Sequence, residues 1–327
     1  MSGNEQVEWE IPVEARPRPE DHNYDLERAL SAAVFIRSQV PEDAFTAQVL
    51  GTERAGNGIL ISDSGLIVTI GYLVTEAESV WIVANNGQTV AGDVIGFDHE
   101  TGLGFVQALG RLTIRPLEIG SSADARIGDN IVLAAGGGRR HSLSGRIVDR
   151  REFAGSWEYL LDEALFTTPV HPNWGGTGLI DRQGRLIGIG SLFVQGVGPN
   201  GADGNMIVPI DLMKPILASM TSTGHSGRPA RPWLGLYAAE NEDAIVVAGM
   251  ASTGPASRAG VQIGDEVLDV GGGHIGSLSE LFRKVWALGP AGVDVPLTLR
   301  REDGQTLEVV VRSADRADFL RKPRLHA

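Results

Sequence analysis

Residues 56–74 read GNGILISDSGLIVTIGYLV. Two apolar, β-branched runs, GILI and LIVTIGYLV, flank Ser62-Asp63-Ser64-Gly65. Runs this short, bounded by turn formers, predict two strands joined by a tight turn rather than helices. Outward from this stretch the same grammar repeats in SVWIVA (79–84), TVAGDVIGF (89–97), LGFVQAL (103–109), NIVLAAG (130–136), SGRIVD (144–149) and GRLIGIGSLFV (184–194). Short strands at this spacing predict an all-β barrel or sandwich, expected over residues 26–217.

On either side the pattern changes. Residues 1–25 are rich in Pro, Glu and Arg and read as an extended arm. The segment that follows begins as a helix, with Asp25 as its cap, before turning β-branched. Residues 218–230 carry Gly, Ser, Thr and Pro without apolar periodicity and read as a linker. A second module is expected over 231–316. In it WLGLYAA and AIVVAGMA are strand-like, Leu278, Leu281, Phe282, Val285 and Leu288 mark one face of an amphipathic helix, and Asp303-Gly304 suits a hairpin turn. Residues 317–327 form a short basic tail.

Composition narrows the functions open to the chain. With 327 residues and 42% apolar content it can bury two or three cores, and no run approaches the roughly 20 apolar residues of a membrane span. A net charge of -13 opposes phosphate backbones, so nucleic acid is not an expected partner. The absence of cysteine rules out disulfides and thiolate chemistry. The polar N-terminus has no apolar segment of signal type, from which a cytoplasmic location is expected, or a periplasmic one if the start is trimmed or misassigned.

The second module carries a specific likeness. GPASRAGVQIGDEVLDVGG (254–272), preceded by RPWLGLYA (231–238), resembles bacterial PDZ domains. The resemblance implies a groove that receives peptide or protein C-termini, with Trp233, Leu234, Gly235 and Leu236 at its carboxylate end and helix residues such as Leu281 and Val285 on the other wall. Plain core packing is the competing account of the same apolar residues. A β domain followed by PDZ resembles the HtrA-type serine proteases. GNGILISDSGLIVTIGYLV, VIGFDHETGLGFVQAL (94–109), IGSSADARIGDNIVLAAGG (119–137) and TTPVHPNWGGTGLIDRQGRLIGIGSLF (167–193) follow the order of that family's segments. The fold implied is mainly β, a chymotrypsin-like double β-barrel followed by a small α+β PDZ domain, and the family's habit implies a homo-oligomer, a trimer.

Matched segment to segment, the triad positions depart from the family. Tyr72 stands at the histidine position and Gly102 at the aspartate position. At the serine position stands Gly175, or Trp174 if the Gly-Gly doublet is paired instead. A phenol with an ordinary pKa near ~10 is a poor base, and glycine can neither attack nor orient. The expectation is a non-catalytic, HtrA-like protein that binds peptide or unfolded segments as scaffold, chaperone-like binder or regulator of an active relative. The alternative is an active serine endopeptidase with a relocated or misaligned site, drawing on Asp98, His99, Glu100, His141, Ser142, Ser144, His171 or Thr177. No metal or cofactor is expected, because no ligand spacing is present and the Gly-rich AAGGGRRH (134–141) lacks a phosphate-loop pattern.

Overall fold

The computed structural model of the protein describes residues 9–241 and 244–321. They form two compact units, one of residues up to 151 together with 163–226, the other of 152–162 and 227–321.

The first unit holds two closed barrels. A short helix, α1 (Leu26–Ser31), opens it, with the Asp25 carboxylate accepting from the Arg28 amide at 3.0 Å as a cap. Strands β1 (Ala33–Gln39), β2 (Glu53–Leu60), β3 (Leu66–Ile70), β4 (Ser79–Ala84), β5 (Thr89–Phe97) and β6 (Leu103–Ala108) close in the order β1-β2-β3-β6-β5-β4, with the short helix α2 (Ala47–Leu50) between β1 and β2. The opening stretch of sequence is thus the β2–β3 hairpin, paired Ile59 to Val68. Strands β7 (Asn130–Ala134), β8 (Leu143–Gly155), β9 (Tyr159–Thr168), β10 (Gly178–Ile180), β11 (Leu186–Val194) and β12 (Gly204–Pro209) close the second barrel in the order β10-β11-β12-β9-β8-β7. Inward residues such as Leu133, Leu165, Leu179 and Ile207 are buried together in its core.

A helix, α3 (Leu217–Thr223), stands where composition reads as linker. Its Met220 is fully buried and its end is closed by Gly224, left-handed at φ +74°, whose N–H donates to the Met220 carbonyl. Burial of one methionine is worth about 1.5–3 kcal/mol, enough to hold a short helix that propensity alone would not predict.

The second unit is an antiparallel sheet of β13 (Leu236–Asn241), β14 (Ala244–Met250), β15 (Glu266–Val270), β17 (Asp294–Arg300) and β18 (Thr306–Arg312), in the order β13-β14-β15-β17-β18, with β16 (Gly273–His274) beside β15. The short helix α4 (Pro255–Arg258) and the amphipathic α5 (Leu278–Ala287) complete it. Leu278, Leu281, Phe282 and Val285 of α5 join Leu236, Val247, Val267 and Leu299 in one core, as the helical spacing predicts, whereas Leu288, expected on the same face, caps the helix end and stays exposed. Strand β13 is the sheet's edge, and the tip of the β8–β9 hairpin belongs to this unit. Among the described residues no helix is long and apolar enough to cross a membrane.

Candidate functional site

In the first unit the matched triad positions meet around a turn. Tyr72 lies in the single 3-10 turn Gly71–Leu73 that follows β3. The Gly71 N–H donates to the Gly102 carbonyl at 2.7 Å, seating Gly102 beside that turn. Gly102 is left-handed at φ +78° and offers no side chain to orient a base.

The loop between β9 and β10 closes the other side, and a wholly buried asparagine fastens it. The Asn57 N–H and Nδ2 both donate to the Gly175 carbonyl, at 2.8 and 3.1 Å, and Nδ2 also reaches the Asn173 carbonyl at 2.9 Å. Asn57 Oδ1 accepts from the Gly136 N–H at 2.9 Å, and its carbonyl accepts from Thr69 Oγ1 at 2.6 Å. Every polar atom of this buried side chain is satisfied, as its burial demands. The next residue, Gly176, is left-handed at φ +76°, and a Cβ there would lie 1.8 Å from the Asn57 carbonyl oxygen, so only glycine fits.

Gly175 faces Tyr72. The Tyr72 hydroxyl donates to the Ser191 carbonyl at 2.8 Å, and a Cβ placed on Gly175 would come 2.7 Å from that same oxygen. Burial raises the phenol above its ordinary pKa, opposed by a hydrogen bond from the Trp174 side chain, so Tyr72 keeps its proton. Trp174 itself leans on Phe193, ring centroids 5.8 Å apart. In a chymotrypsin-type site the oxyanion is held by the amides of the nucleophile and of the residue two before it. Two before Gly175 is Asn173, whose amide donates instead to His171 Nδ1 at 3.1 Å.

The residues the alternative site would draw on each have partners of their own. His171 is fully buried, with Nδ1 accepting from Asn173 and Nε2 donating to the His141 carbonyl at 2.7 Å. Burial lowers its pKa to about 4, against the opposing pull of those two hydrogen bonds, so the ring is neutral with its one lone pair already engaged. Ser142 Oγ donates to the Gly138 carbonyl at 2.9 Å, and Ser144 pairs with Val132 in the β7–β8 ladder. Thr177 Oγ1 donates to the Trp174 carbonyl at 2.9 Å. The Asp98 carboxylate accepts from the Thr101 amide at 2.9 Å, and the His99 ring meets Phe97 edge-on. His141 lies edge-on to Trp9, Glu100 sits in the same turn as Asp98, and among the described residues no cluster of His, Asp and Glu could hold a metal ion.

In the second unit Trp233 to Leu236 lead into β13. Trp233 exchanges backbone hydrogen bonds with Ala314, and its ring rests on Phe319 at 4.8 Å. The Leu234, Leu236, Leu281 and Val285 side chains are buried in the core. What the loop turns outward is backbone. Gly235 is left-handed at φ +76°, which lets three successive amides aim one way. The N–H groups of Leu234, Gly235 and Leu236 converge on the Glu158 carboxylate at 3.0, 2.7 and 3.0 Å. Burial raises the Glu158 pKa to about 7, while those three amides and the Arg316 guanidinium oppose the rise. Sequence reasoning missed Asn57, Ser191 and Glu158. Asn57 between two glycines looks like turn punctuation, Ser191 acts through its backbone, and Glu158 sits in GSWEYL (155–160), which has no motif spacing.

The trypsin-like peptidase domain model matches residues 56–189, and the PDZ domain model matches 232–312. A probable periplasmic serine endoprotease of the DegP-like kind from Halomonas elongata is 25% identical over 80% of this chain and 57% of its own length. Serine endoprotease DegS of Haemophilus influenzae is 26% identical over 67% of this chain and 65% of its own. Serine protease PepD of Mycobacterium tuberculosis is 26% identical over 84% and 65%. The chain therefore spans 57 to 65% of the length of these relatives. Among solved structures, the HtrA-type protease AlgW with a decapeptide aligns with TM-score 0.52 at 20% identity, over 91% of this chain and 98% of that one. A serine endoprotease from Yersinia pestis aligns with TM-score 0.51 at 21% identity, over 89% and 98%. Relatives named as periplasmic, from Halomonas elongata and Pseudomonas fulva, overturn the cytoplasmic expectation. That expectation rested on the polarity of the first residues, a property of those residues and not of the compartment.

Proposed function

Because the chain belongs to the HtrA-type family, a trypsin-like peptidase domain followed by a PDZ domain, and carries Tyr72 against Gly175 where that family's base and nucleophile would meet, we propose that it binds polypeptide without cleaving it. The PDZ domain takes free C-termini and unfolded segments in extended form, the carboxylate meeting the amides of 234–236 and the strand adding to the edge of β13. The observation that carries this reading is the phenol hydroxyl in the space a serine Cβ would need, 2.7 Å away. The inward-turned Asn173 amide supports it, since even the residual rate of a triad-less site, about 10³ to 10⁴ over water, depends on an intact oxyanion hole. Assembly as a homotrimer belongs to the same proposal, and three linked grooves would add avidity to weak single contacts.

The relatives' names favour a second reading, a serine endopeptidase of protein quality control whose nucleophile lies outside the matched positions. Unfolded casein separates the two. Full-length protein immobilised on a sensor retains casein, and the eluate contains no fragments, under the first reading. Time-dependent fragments, absent after heat inactivation, would establish the second.

A further inference from the structure

The PDZ carboxylate loop already holds a carboxylate. We propose that Glu158 is a built-in ligand of this loop, so that residues 152–162 occupy the peptide groove until an incoming chain terminus displaces them. This rests on reading the loop as a peptide site.

Three features make the contact a ligand mimic rather than a casual hydrogen bond. First, the Glu158 carboxylate takes all three converging amides, the donors a terminal carboxylate would need. Second, the backbone continues in the register of an added strand. Two residues before Glu158, the Ser156 carbonyl accepts from the Ala238 N–H at 2.9 Å, two residues beyond Leu236. Stepping back two on one segment and forward two on the other is antiparallel pairing, and it falls on β13, which among the described residues has no other strand on that side. Third, the opposite wall grips the same segment. Arg283 of α5 holds Glu152 at 2.6 Å and Asp162 at 2.5 Å, one at each end of the tip, while Leu160 enters the unit's core.

The segment's own conformation fits displacement. Glu158 is left-handed at φ +60°, a backbone state that a non-glycine residue keeps only under compensating contacts. The charge balance is equally local. Arg316, in the turn after β18, attracts Glu158, and Tyr237 of β13 faces Arg316. An extended peptide ending in a free carboxylate would supply the charge and the three acceptor contacts that Glu158 supplies now. The two cannot occupy the loop together, so apparent affinity is the intrinsic affinity scaled by the fraction of molecules with the tip withdrawn.

The test uses the full chain, its E158A and E158Q variants, and a fluorescein-labelled ten-residue peptide pool ending in Ala, Val, Leu or Phe, as free acids and as C-terminal amides. Anisotropy reads binding, and hydrogen exchange reads protection of the 234–236 amides. In E158A those amides lose protection and free-acid peptides bind at least about tenfold tighter than to the unmodified chain, a shift of ~1.4 kcal/mol. Amidated peptides gain nothing, and E158Q, neutral like the protonated tip, binds free acids no more tightly than the unmodified chain. Equal, measurable binding of free acids to all three proteins would overturn the built-in ligand and leave the peptide site standing. Exposed amides in E158A with no binding of any peptide would overturn both.

Discussion

Replacing Gly175 by alanine adds one methyl group where the structure leaves no room for it. Its Cβ would lie 2.7 Å from Tyr72 Oη, while the next neighbours, Tyr72 Cζ and Cε2, stand at ordinary contact distances of 3.5 and 3.7 Å. Gly175 does not have a left-handed backbone, so the substitution carries no conformational penalty of its own. Overpacking of this kind costs about 1–3 kcal/mol. Removing the hydroxyl with Y72F vacates the space and leaves the Ser191 carbonyl without its donor, a separate cost of about 1–3 kcal/mol. In the Y72F background G175A should therefore cost close to nothing, and the double-mutant coupling should approach the full single-mutant value, about 1–3 kcal/mol. Thermal unfolding followed by near-ultraviolet dichroism reads this as a fall of roughly 2 to 10 °C for G175A alone, the scale for a unit of this size. A G175A penalty that persists undiminished in Y72F, or that is absent from the start, would refute the placement of the phenol over Gly175.

Two pH dependences follow with opposite signs. His171 protonates near 6.5 when unfolded but only near 4 when folded, so the native state is favoured above pH 6.5 and loses up to about 3 kcal/mol as pH falls to 4. Urea midpoints between pH 7 and 4 should fall accordingly, and H171N should flatten the slope. Glu158 has the reverse sense: docked in the loop its carboxyl is held near 7 against 4.5 ordinarily, so protonation favours the docked tip and rising pH favours release. With Arg316 charged throughout, free-acid peptide affinity should rise between pH 5 and 8 by up to about a hundredfold in the unmodified chain and stay nearly level in E158A. A fall over that range would contradict the assignment.

The β2–β3 hairpin and helix α5 were legible because each carries a local signal, short apolar runs around turn formers in one and three-four spacing in the other. The resemblance in segment order singled out Tyr72, Gly102 and Gly175 or Trp174 as positions to inspect, without showing what they do. Helix α3 was not legible, since Ser and Thr make up most of its sequence and its support comes from the buried Met220, a tertiary contact. Glu158 was invisible for a related reason. It meets the 234–236 amides across 76 to 78 residues of chain, and a lone glutamate in a hairpin tip has no pattern until the fold brings those partners to it. Asn57 likewise shows its role only when the loop carrying Gly175 closes on it.

The central claim is that no activated serine exists in the peptidase-like domain. Intact-mass spectrometry of the full-length protein after exposure to a fluorophosphonate probe tests it most directly. The account predicts unmodified mass at times when an active serine protease run alongside is fully labelled. A stoichiometric single adduct, mapped to one serine, would contradict it and identify the nucleophile.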